Sequence, residues 1–218
     1  MTAVLLDVDG TLVDSNDAHA QAWVEAFADQ GITVDFSRVR RCIGMGGDKL
    51  MPEVSGVQRD SPAGAAIARR RGEIFAERHL PHLKPFSKSA RLVAALKARG
   101  HTVVAASSAP RDELHPLLAV AGAEALMDGT TSSDDAQESK PEPDIIQAAL
   151  KRANAAPADA IMIGDTPYDV EASHRAGVAV IAFRCGGWDD EALRGAVAIY
   201  DGPWDLLSHL DESPVRRR

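Results

Sequence analysis

Short apolar segments recur along the chain, and longer segments with helical periodicity lie between them. The apolar segments cover residues 3–8, 102–107, 160–164 and 178–183, with a weaker one at 197–200. The helical segments cover residues 89–99, 112–121, 143–154 and 169–176. Buried strands that alternate with helices indicate a parallel sheet with helices on both faces. We therefore expect an α/β fold with a Rossmann-like, three-layer core.

The stretch before Pro85 departs from this alternation. Residues 15–84 contain helical patterns at 17–30 and 61–79 but no strand of comparable strength. This stretch follows the first strand directly. It therefore begins at the carboxyl ends of the parallel strands, the edge of the sheet where α/β proteins bind their ligands. We predict that residues 1–14 and 85–218 form the core, and that residues 15–84 form an all-helical insertion that covers the site.

Charge and composition narrow the range of partners. The 218 residues include 24 Lys and Arg against 32 Asp and Glu, a net charge of −8, so nucleic-acid binding is not expected. No apolar stretch approaches the roughly 18 residues of a membrane span. An acidic residue at position 7 comes too early for a signal peptide. We expect a cytoplasmic protein with no membrane partner. Three arginines alone, at residues 216–218, do not indicate another partner.

Two carboxylates, Asp7 and Asp9, end the first apolar segment and are followed by Gly10 and Thr11. Side chains two positions apart in a strand point to the same side, so their charges need a cation or a proton to offset them. Mg²⁺ is well suited because it prefers carboxylate and carbonyl oxygens. The alternative is a solvated acidic turn or an aspartate that caps a helix. These residues alone leave both interpretations open.

Four short motifs follow one another along the chain: Asp7-Val8-Asp9-Gly10-Thr11, Ser107, Lys140 within Ser139-Lys140-Pro141, and Gly164-Asp165-Thr166-Pro167-Tyr168-Asp169. Taken alone, Lys140 would be an ordinary surface lysine, and Asp165 and Asp169 would be helix-start carboxylates. In this order, however, the four motifs resemble those of the haloacid dehalogenase superfamily of aspartate-nucleophile phosphotransferases, and the resemblance covers the whole chain. It implies that the motif residues share one site.

The resemblance implies a site for phosphoryl transfer. Asp7 would be the nucleophile that forms an aspartyl-phosphate, and Asp9 would be the general acid and then the general base. Ser107 would donate its hydroxyl to a phosphoryl oxygen, although a strand-end hydroxyl also bonds readily to backbone, and Ser108 is an equal candidate. Lys140 would neutralise charge on the phosphoryl group and on the nucleophile.

The same resemblance implies Mg²⁺ as cofactor. Its ligands would be a carboxylate oxygen of Asp7, the backbone carbonyl of Asp9 and the carboxylate of Asp165. Asp169 would either bind the ion directly or hold one of its waters, and the sequence leaves this open. Thr11, in the first motif, is a further candidate for contact with the substrate.

Asp9 also narrows the branch of the superfamily, because haloacid dehalogenases lack an acid/base aspartate there and phosphonatases resemble DxAGT. The insertion is similar to the small cap of the subfamily that contains phosphoglycolate phosphatase and β-phosphoglucomutase. We expect a Mg²⁺-dependent phosphatase that hydrolyses a small-molecule phosphomonoester. A sugar phosphomutase is the alternative. The intact motif residues argue against a third possibility, a non-enzymatic binding protein.

Four residues of the insertion are candidates for contact with the substrate: His19, Gly46, Gly47 and Lys49. His19 is either directed at the site or a hinge histidine, whereas Trp23 is expected in the core of the insertion. The glycines would let backbone amides approach a ligand, and Lys49 would meet a second anionic group. The sequence favours no particular substrate and does not distinguish a monomer from a homodimer.

Overall fold

The computed structural model describes residues 3–215, so the arginines at 216–218 lie outside it. The described residues contain one parallel sheet in the order β3-β2-β1-β4-β5-β6, with β1 in its interior. The predicted parallel α/β fold is confirmed. The strands are β1 (Ala3–Leu6), β2 (Thr102–Ala106), β3 (Gly129–Thr131), β4 (Ala160–Gly164), β5 (Ala179–Phe183) and β6 (Ala198–Tyr200).

The helices between the strands correspond closely to the periodic segments of the sequence. The predicted helix over residues 61–79 is continuous in position but changes its geometry, because the α-helix ends at Ile74 and a π-helical turn, Phe75–His79, follows. The α-helices are α1 (Asn16–Ala28), α2 (Phe36–Arg41), α3 (Gly47–Ser55), α4 (Pro62–Ile74), α5 (Ser89–Ala98), α6 (Arg111–Val120), α7 (Asp144–Ala153), α8 (Pro167–Arg175) and α9 (Pro203–Ser208).

Two features of the sheet differ from the sequence prediction. The strand β3 was not predicted, because Gly-Thr-Thr carries no apolar signal; it exists because its backbone pairs with β2, with Gly129 opposite Val104. The first strand ends at Leu6 rather than at residue 8. The alternation argument therefore does not extend to Asp9, which lies on the turn after β1.

The core on one face of the sheet is built around α7. Ile145, Ile146 and Ala149 of this helix are buried in one cluster with side chains of β1, β2 and β4, and the helix packs directly on β1, β2 and β3. All four residues of β1 are buried, as expected for an interior strand that is covered on both faces. This packing fixes the strand ends from which the candidate site residues project.

The chain divides into two compact units. Ser15–Leu83 forms one, and the chain on either side, through Asp14 and from Lys84, forms the other. Within this second unit the Asp14 amide donates to the Lys84 carbonyl at 3.0 Å, and Val13 pairs with Pro85 in antiparallel fashion. The two points where the insertion begins and ends are therefore hydrogen-bonded neighbours.

In the inserted unit, α1 packs against α2 and α4. Trp23 is buried, with its ring centroid 6.0 Å from that of Phe27, which confirms its expected place in the core of this unit. Across the described residues, no helix combines the length and the apolar composition that a membrane span requires. Both cysteines are free; Cys42 is buried and Cys185 is half-buried.

Shortening a core side chain of α7 should destabilise the protein strongly. Ile146 is fully buried, so we expect Ile146→Ala to lower the free energy of unfolding by about 2–5 kcal/mol, measured by equilibrium urea unfolding. Val197 is 55% exposed, and Val197→Ala should change it by less than about 0.5 kcal/mol. Equal effects of the two substitutions would contradict the described packing.

Candidate active site

The candidate site lies at the carboxyl ends of three adjacent strands. Asp7 follows β1, Ser107 follows β2 and Asp165 follows β4. The pairing continues to this edge, because the Asp7 amide donates to the Ile163 carbonyl at 2.9 Å. Parallel strands end together, so residues far apart in sequence are brought to one edge of the sheet.

A buried ion-pair cluster lies at this edge. The Lys140 ammonium is 2.7 Å from Asp7 Oδ1 and 2.7 Å from Asp169 Oδ1, and it donates to the Ala106 carbonyl at 3.0 Å. Lys140 is 0% exposed and Asp7 is 6% exposed. This burial excludes the solvated acidic turn for Asp7 and the ordinary surface position for Lys140.

Asp165 and Asp169 are oriented by neighbouring hydroxyl groups. Thr11 donates to Asp165 Oδ1 at 2.8 Å, and its Oγ1 is 3.4 Å from Asp7 Oδ2. Thr166 is the N-cap of α8: its hydroxyl donates to Asp169 Oδ2 at 2.7 Å and accepts from the Asp169 amide at 3.2 Å. Asp169 is thus both a helix-start carboxylate and a member of the cluster.

Three of the carboxylates converge closely enough to share a cation. One oxygen from each of Asp7, Asp165 and Asp169 lies within 4.8 Å of the others, and all three residues are buried. Three carboxylates and the ammonium of Lys140 leave two negative charges when all are ionised. Clustered carboxylate oxygens with this excess charge fit a hard divalent cation such as Mg²⁺.

The electrostatics of the cluster depend on this balance. Burial raises the pKa of Asp7 well above its ordinary value and the charges of Asp169 and Asp165 add to the rise, whereas Lys140 opposes it. Burial works against the ammonium of Lys140, but the charges of Asp169 and Asp7 outweigh it and raise the pKa of Lys140. Lys140 therefore stays charged, and it favours the ionised form of Asp7.

Three other predicted residues lie on the loops at this edge. The Ser107 hydroxyl accepts from the Ala109 amide at 3.0 Å and is buried, whereas Ser108 is partly exposed. The backbone bond foreseen as the alternative for Ser107 is therefore present. Asp9 is partly exposed on the turn after β1, where the Leu12 amide donates to the Val8 carbonyl at 2.8 Å.

The predicted residues of the insertion lie within the helical unit. His19, on α1, is buried and stacks on Phe75 with ring centroids 4.0 Å apart, and Arg71 contacts its Nδ1. Gly46 is the N-cap of α3 and Gly47 its first residue. A Cβ at Gly47 would lie 3.0 Å from the Trp23 ring, so this glycine packs closely against the core of the unit. Lys49 follows in the first turn of α3.

Two parts of the site were not predicted from the sequence: Thr166 and the loop after β5. Thr166 carries a readable signal, since a threonine three residues before an aspartate at a helix start is typical of a capping box. The loop after β5 carries no such signal. Its Cys185 thiol donates to the Gly10 carbonyl at 3.4 Å, and Gly186 lies against Asp165. Burial raises the pKa of Cys185, and the charge of Asp165 adds to this, so the thiol stays protonated.

Comparison with known sequences agrees with this geometry. Residues 4–183 match the family described as haloacid dehalogenase-like hydrolase. The chain belongs to this family. A phosphoglycolate phosphatase of Cupriavidus necator is 30% identical over 92% of this chain and 89% of its own. A validoxylamine A 7'-phosphate phosphatase of Streptomyces hygroscopicus is 28% identical over 88% of this chain and 89% of its own.

Solved structures give the same result for the fold of this hydrolase. A hydrolase from Pseudomonas syringae has a TM-score of 0.91 and 27% identity, covering 97% of this chain and 99% of its own. CbbY from Rhodobacter sphaeroides, in complex with phosphate, has a TM-score of 0.79 and 27% identity, covering 97% and 100%. The predicted superfamily is confirmed, and with it the expectation of a hydrolytic enzyme of the phosphatase class.

Removing the buried ammonium should destabilise the hydrolase in a pH-dependent way. Lys140→Met leaves Asp7 and Asp169 without their cation, so we expect it to lower the free energy of unfolding by about 3–5 kcal/mol at pH 8 in the presence of a chelator. Folding of the variant then favours protonated carboxyl groups, whose folded-state pKa values exceed the unfolded ones. The loss should shrink as the pH falls through these values and the groups protonate.

The matched control is Lys151→Met, which removes an exposed lysine from α7. It should change the free energy of unfolding by less than about 0.5 kcal/mol at either pH. Urea unfolding at pH 5 and pH 8 measures both variants. A loss for Lys140→Met that is equal at the two pH values would contradict the electrostatic explanation.

Proposed function

We propose that this hydrolase is a Mg²⁺-dependent phosphatase that hydrolyses small organic phosphomonoesters through an aspartyl-phosphate on Asp7. The observation that carries the proposal is the buried cluster, in which the Asp7 carboxylate lies beside Lys140 and within 4.8 Å of carboxylate oxygens of Asp165 and Asp169. Relatives that cover most of the chain are named phosphatases, and a structural neighbour was solved with phosphate. Both findings support this substrate class.

In the first step, a carboxylate oxygen of Asp7 attacks phosphorus and the bond between phosphorus and the ester oxygen breaks. The leaving alkoxide takes a proton from the carboxyl group of Asp9, which becomes a carboxylate. A phosphate monoester dianion repels an anionic nucleophile, so this step needs positive charge and close positioning around the phosphoryl oxygens. Lys140 supplies one such charge, 2.7 Å from Asp7.

In the second step, Asp9 accepts a proton from water, and the water oxygen attacks phosphorus. The bond between phosphorus and Asp7 breaks, inorganic phosphate leaves, and both aspartates return to their starting state. A positioned acid/base of this kind contributes about 10²–10⁴-fold. The partly exposed position of Asp9 on the turn after β1 supports this role, because its carboxyl group must reach both a leaving group and a water molecule.

Mg²⁺ would be held by the carboxylates of Asp7 and Asp165 and by the backbone carbonyl of Asp9, with Asp169 as a further ligand or as partner of a bound water. When bound, the ion neutralises the excess negative charge of the cluster and that of the phosphoryl oxygens. The hydroxyl of Thr11 donates to Asp165 Oδ1 and thereby holds this carboxylate in one orientation.

The remaining contacts to the phosphoryl group would come from hydroxyl groups and backbone. Ser107 accepts from the Ala109 amide, and a hydroxyl that accepts one hydrogen bond can still donate its own hydrogen to a phosphoryl oxygen. Ser108 and Thr11 are further candidates for this contact. The inserted helical unit would serve as the cap that excludes bulk water and contacts the leaving group.

Release of inorganic phosphate tests this proposal. With Mg²⁺ and a panel of phosphomonoesters, we expect release by the wild type, no release with a chelator, and none from Asp7→Asn, which lacks the nucleophile. Asp9→Asn should lower the rate by about 10²–10⁴-fold. An aryl leaving group needs little protonation, whereas dephosphorylation still needs Asp9. After incubation of Asp9→Asn with an aryl phosphate, intact-protein mass spectrometry should therefore detect a phosphorylated form that is absent from Asp7→Asn.

Two outcomes would contradict the proposal in different ways. Release that persists in Asp7→Asn would exclude this aspartate as the nucleophile. No release from any ester, combined with conversion of a hexose phosphate in the presence of its bisphosphate, would favour the phosphomutase.

Lys49 provides a test of the helical unit. If Lys49 meets a second anionic group on the substrate, Lys49→Ala should raise the KM for such a substrate by about tenfold. It should leave the KM nearly unchanged for an aryl phosphate whose aryl group is uncharged. Lys49→Arg keeps the positive charge and should restore most of the affinity. Steady-state kinetics with both substrates measure this, and equal effects on the two KM values would remove Lys49 from the substrate contacts.

A further inference from the structure

The loop that follows β5 touches the candidate site at more than one point. Residues 184–188, here called the β5 loop, begin with a turn of 3-10 helix, Arg184–Gly186, directly after the strand. We propose that this loop holds Asp165 in the orientation that binds the divalent cation, and that Gly186 is the positioning residue on which this depends. The inference rests on the proposed function, because it assigns Asp165 to the cation.

Gly186 approaches Asp165 so closely that no side chain fits between them. A Cβ at Gly186 would lie 1.8 Å from Asp165 Oδ2 and 2.4 Å from its Cγ, far inside van der Waals contact. Gly186 does not have the left-handed φ that would by itself favour glycine. The requirement for glycine at this position therefore comes from the carboxylate and not from the backbone conformation.

The opposite side of the same carboxylate is also fixed. Thr11 donates to Asp165 Oδ1 at 2.8 Å, and both residues are fully buried. The carboxylate is thus held between a hydroxyl on the turn after β1 and the backbone of the β5 loop. A shift of the loop toward or away from the sheet edge would turn or release this carboxylate.

Several contacts keep the β5 loop in place. The Cys185 thiol donates to the Gly10 carbonyl at 3.4 Å, which joins the loop to the turn that carries Asp9. Arg184 forms a bidentate pair with Asp190 at 2.6 and 3.0 Å and reaches Asp201, after β6, at 2.8 Å.

The far end of the loop contacts the helix that carries Asp169. The ring of Trp188 meets that of Tyr168 edge-on, with centroids 6.3 Å apart, and Tyr168 precedes Asp169 in the first turn of α8. The β5 loop is therefore anchored at the turn after β1, beyond β6 and at the start of α8. Its position is fixed relative to each segment that supplies a carboxylate to the cluster.

The test is Gly186→Ala, with Mg²⁺ as the probe. The added methyl group must displace either the Asp165 carboxylate or the loop that holds it, so we expect the affinity for Mg²⁺ to fall by about 10–100-fold, as for other residues that orient metal ligands. The affinity is read from isothermal titration calorimetry and from the Mg²⁺ dependence of the unfolding temperature. Neither readout requires substrate or turnover.

Gly129→Ala is the matched control. A Cβ at this position would meet the flexible Arg152 side chain at 2.6 Å, so the substitution disturbs packing at β3 and leaves Asp165 untouched. It should leave the Mg²⁺ affinity unchanged. In the Asp165→Asn background, Gly186→Ala should cause little further loss of affinity, because its effect passes through Asp165.

A second pair of variants tests the loop if Gly186→Ala does not fold. Cys185→Ala removes the donor to Gly10 and should weaken Mg²⁺ binding about fivefold, whereas Cys185→Ser keeps a donor and should restore it. A folded Gly186→Ala, or failing that Cys185→Ala, with wild-type affinity would overturn this proposal alone. A wild type that binds no Mg²⁺ would overturn the proposed function together with it.

Discussion

The ammonium of Lys140 lies 2.7 Å from one carboxylate that follows β1 and 2.7 Å from another in the first turn of α8. Buried carboxylates at one sheet edge repel one another and lose their hydration, so without this cation the edge would favour protonated carboxyl groups. Lys140 keeps Asp7 closer to its ionised form. It leaves an excess of negative charge that a divalent ion and a phosphoryl group would share. Lys140 therefore affects both the stability of the fold and the charge state of Asp7.

The fold could be predicted where the sequence carries a strong periodic signal. The buried strands β1, β2, β4 and β5 are continuous apolar runs, and the helices that follow them have clear apolar faces, so the parallel α/β arrangement followed directly. β3 could not be predicted, because Gly-Thr-Thr becomes a strand only through its pairing with β2. The short helices α2, α3 and α9 likewise depend on tertiary contacts more than on their own sequence.

The candidate site likewise contains residues that the sequence predicted and a loop that it did not. Asp7, Lys140, Asp165 and Asp169 stand in recognisable motifs, and the structure brings their charged groups together. No sequence motif predicted a role for the β5 loop in the site. Its contribution comes from a backbone approach to Asp165 and a thiol contact to Gly10, and neither leaves a pattern in a single sequence. The charged residues could be assigned to the site because they stand in ordered motifs, whereas close packing leaves no motif.

The paired ends of the insertion have a consequence for how such a protein can change. The amide of Asp14 bonds to the carbonyl of Lys84, so the sheet-containing unit closes at that point whatever the chain does in between. Because the entropy of closing a loop grows only with the logarithm of its length, residues can be added or lost in the helical unit at little cost to the sheet. The helical unit can therefore gain or lose residues while the strand ends and their charged cluster keep their arrangement.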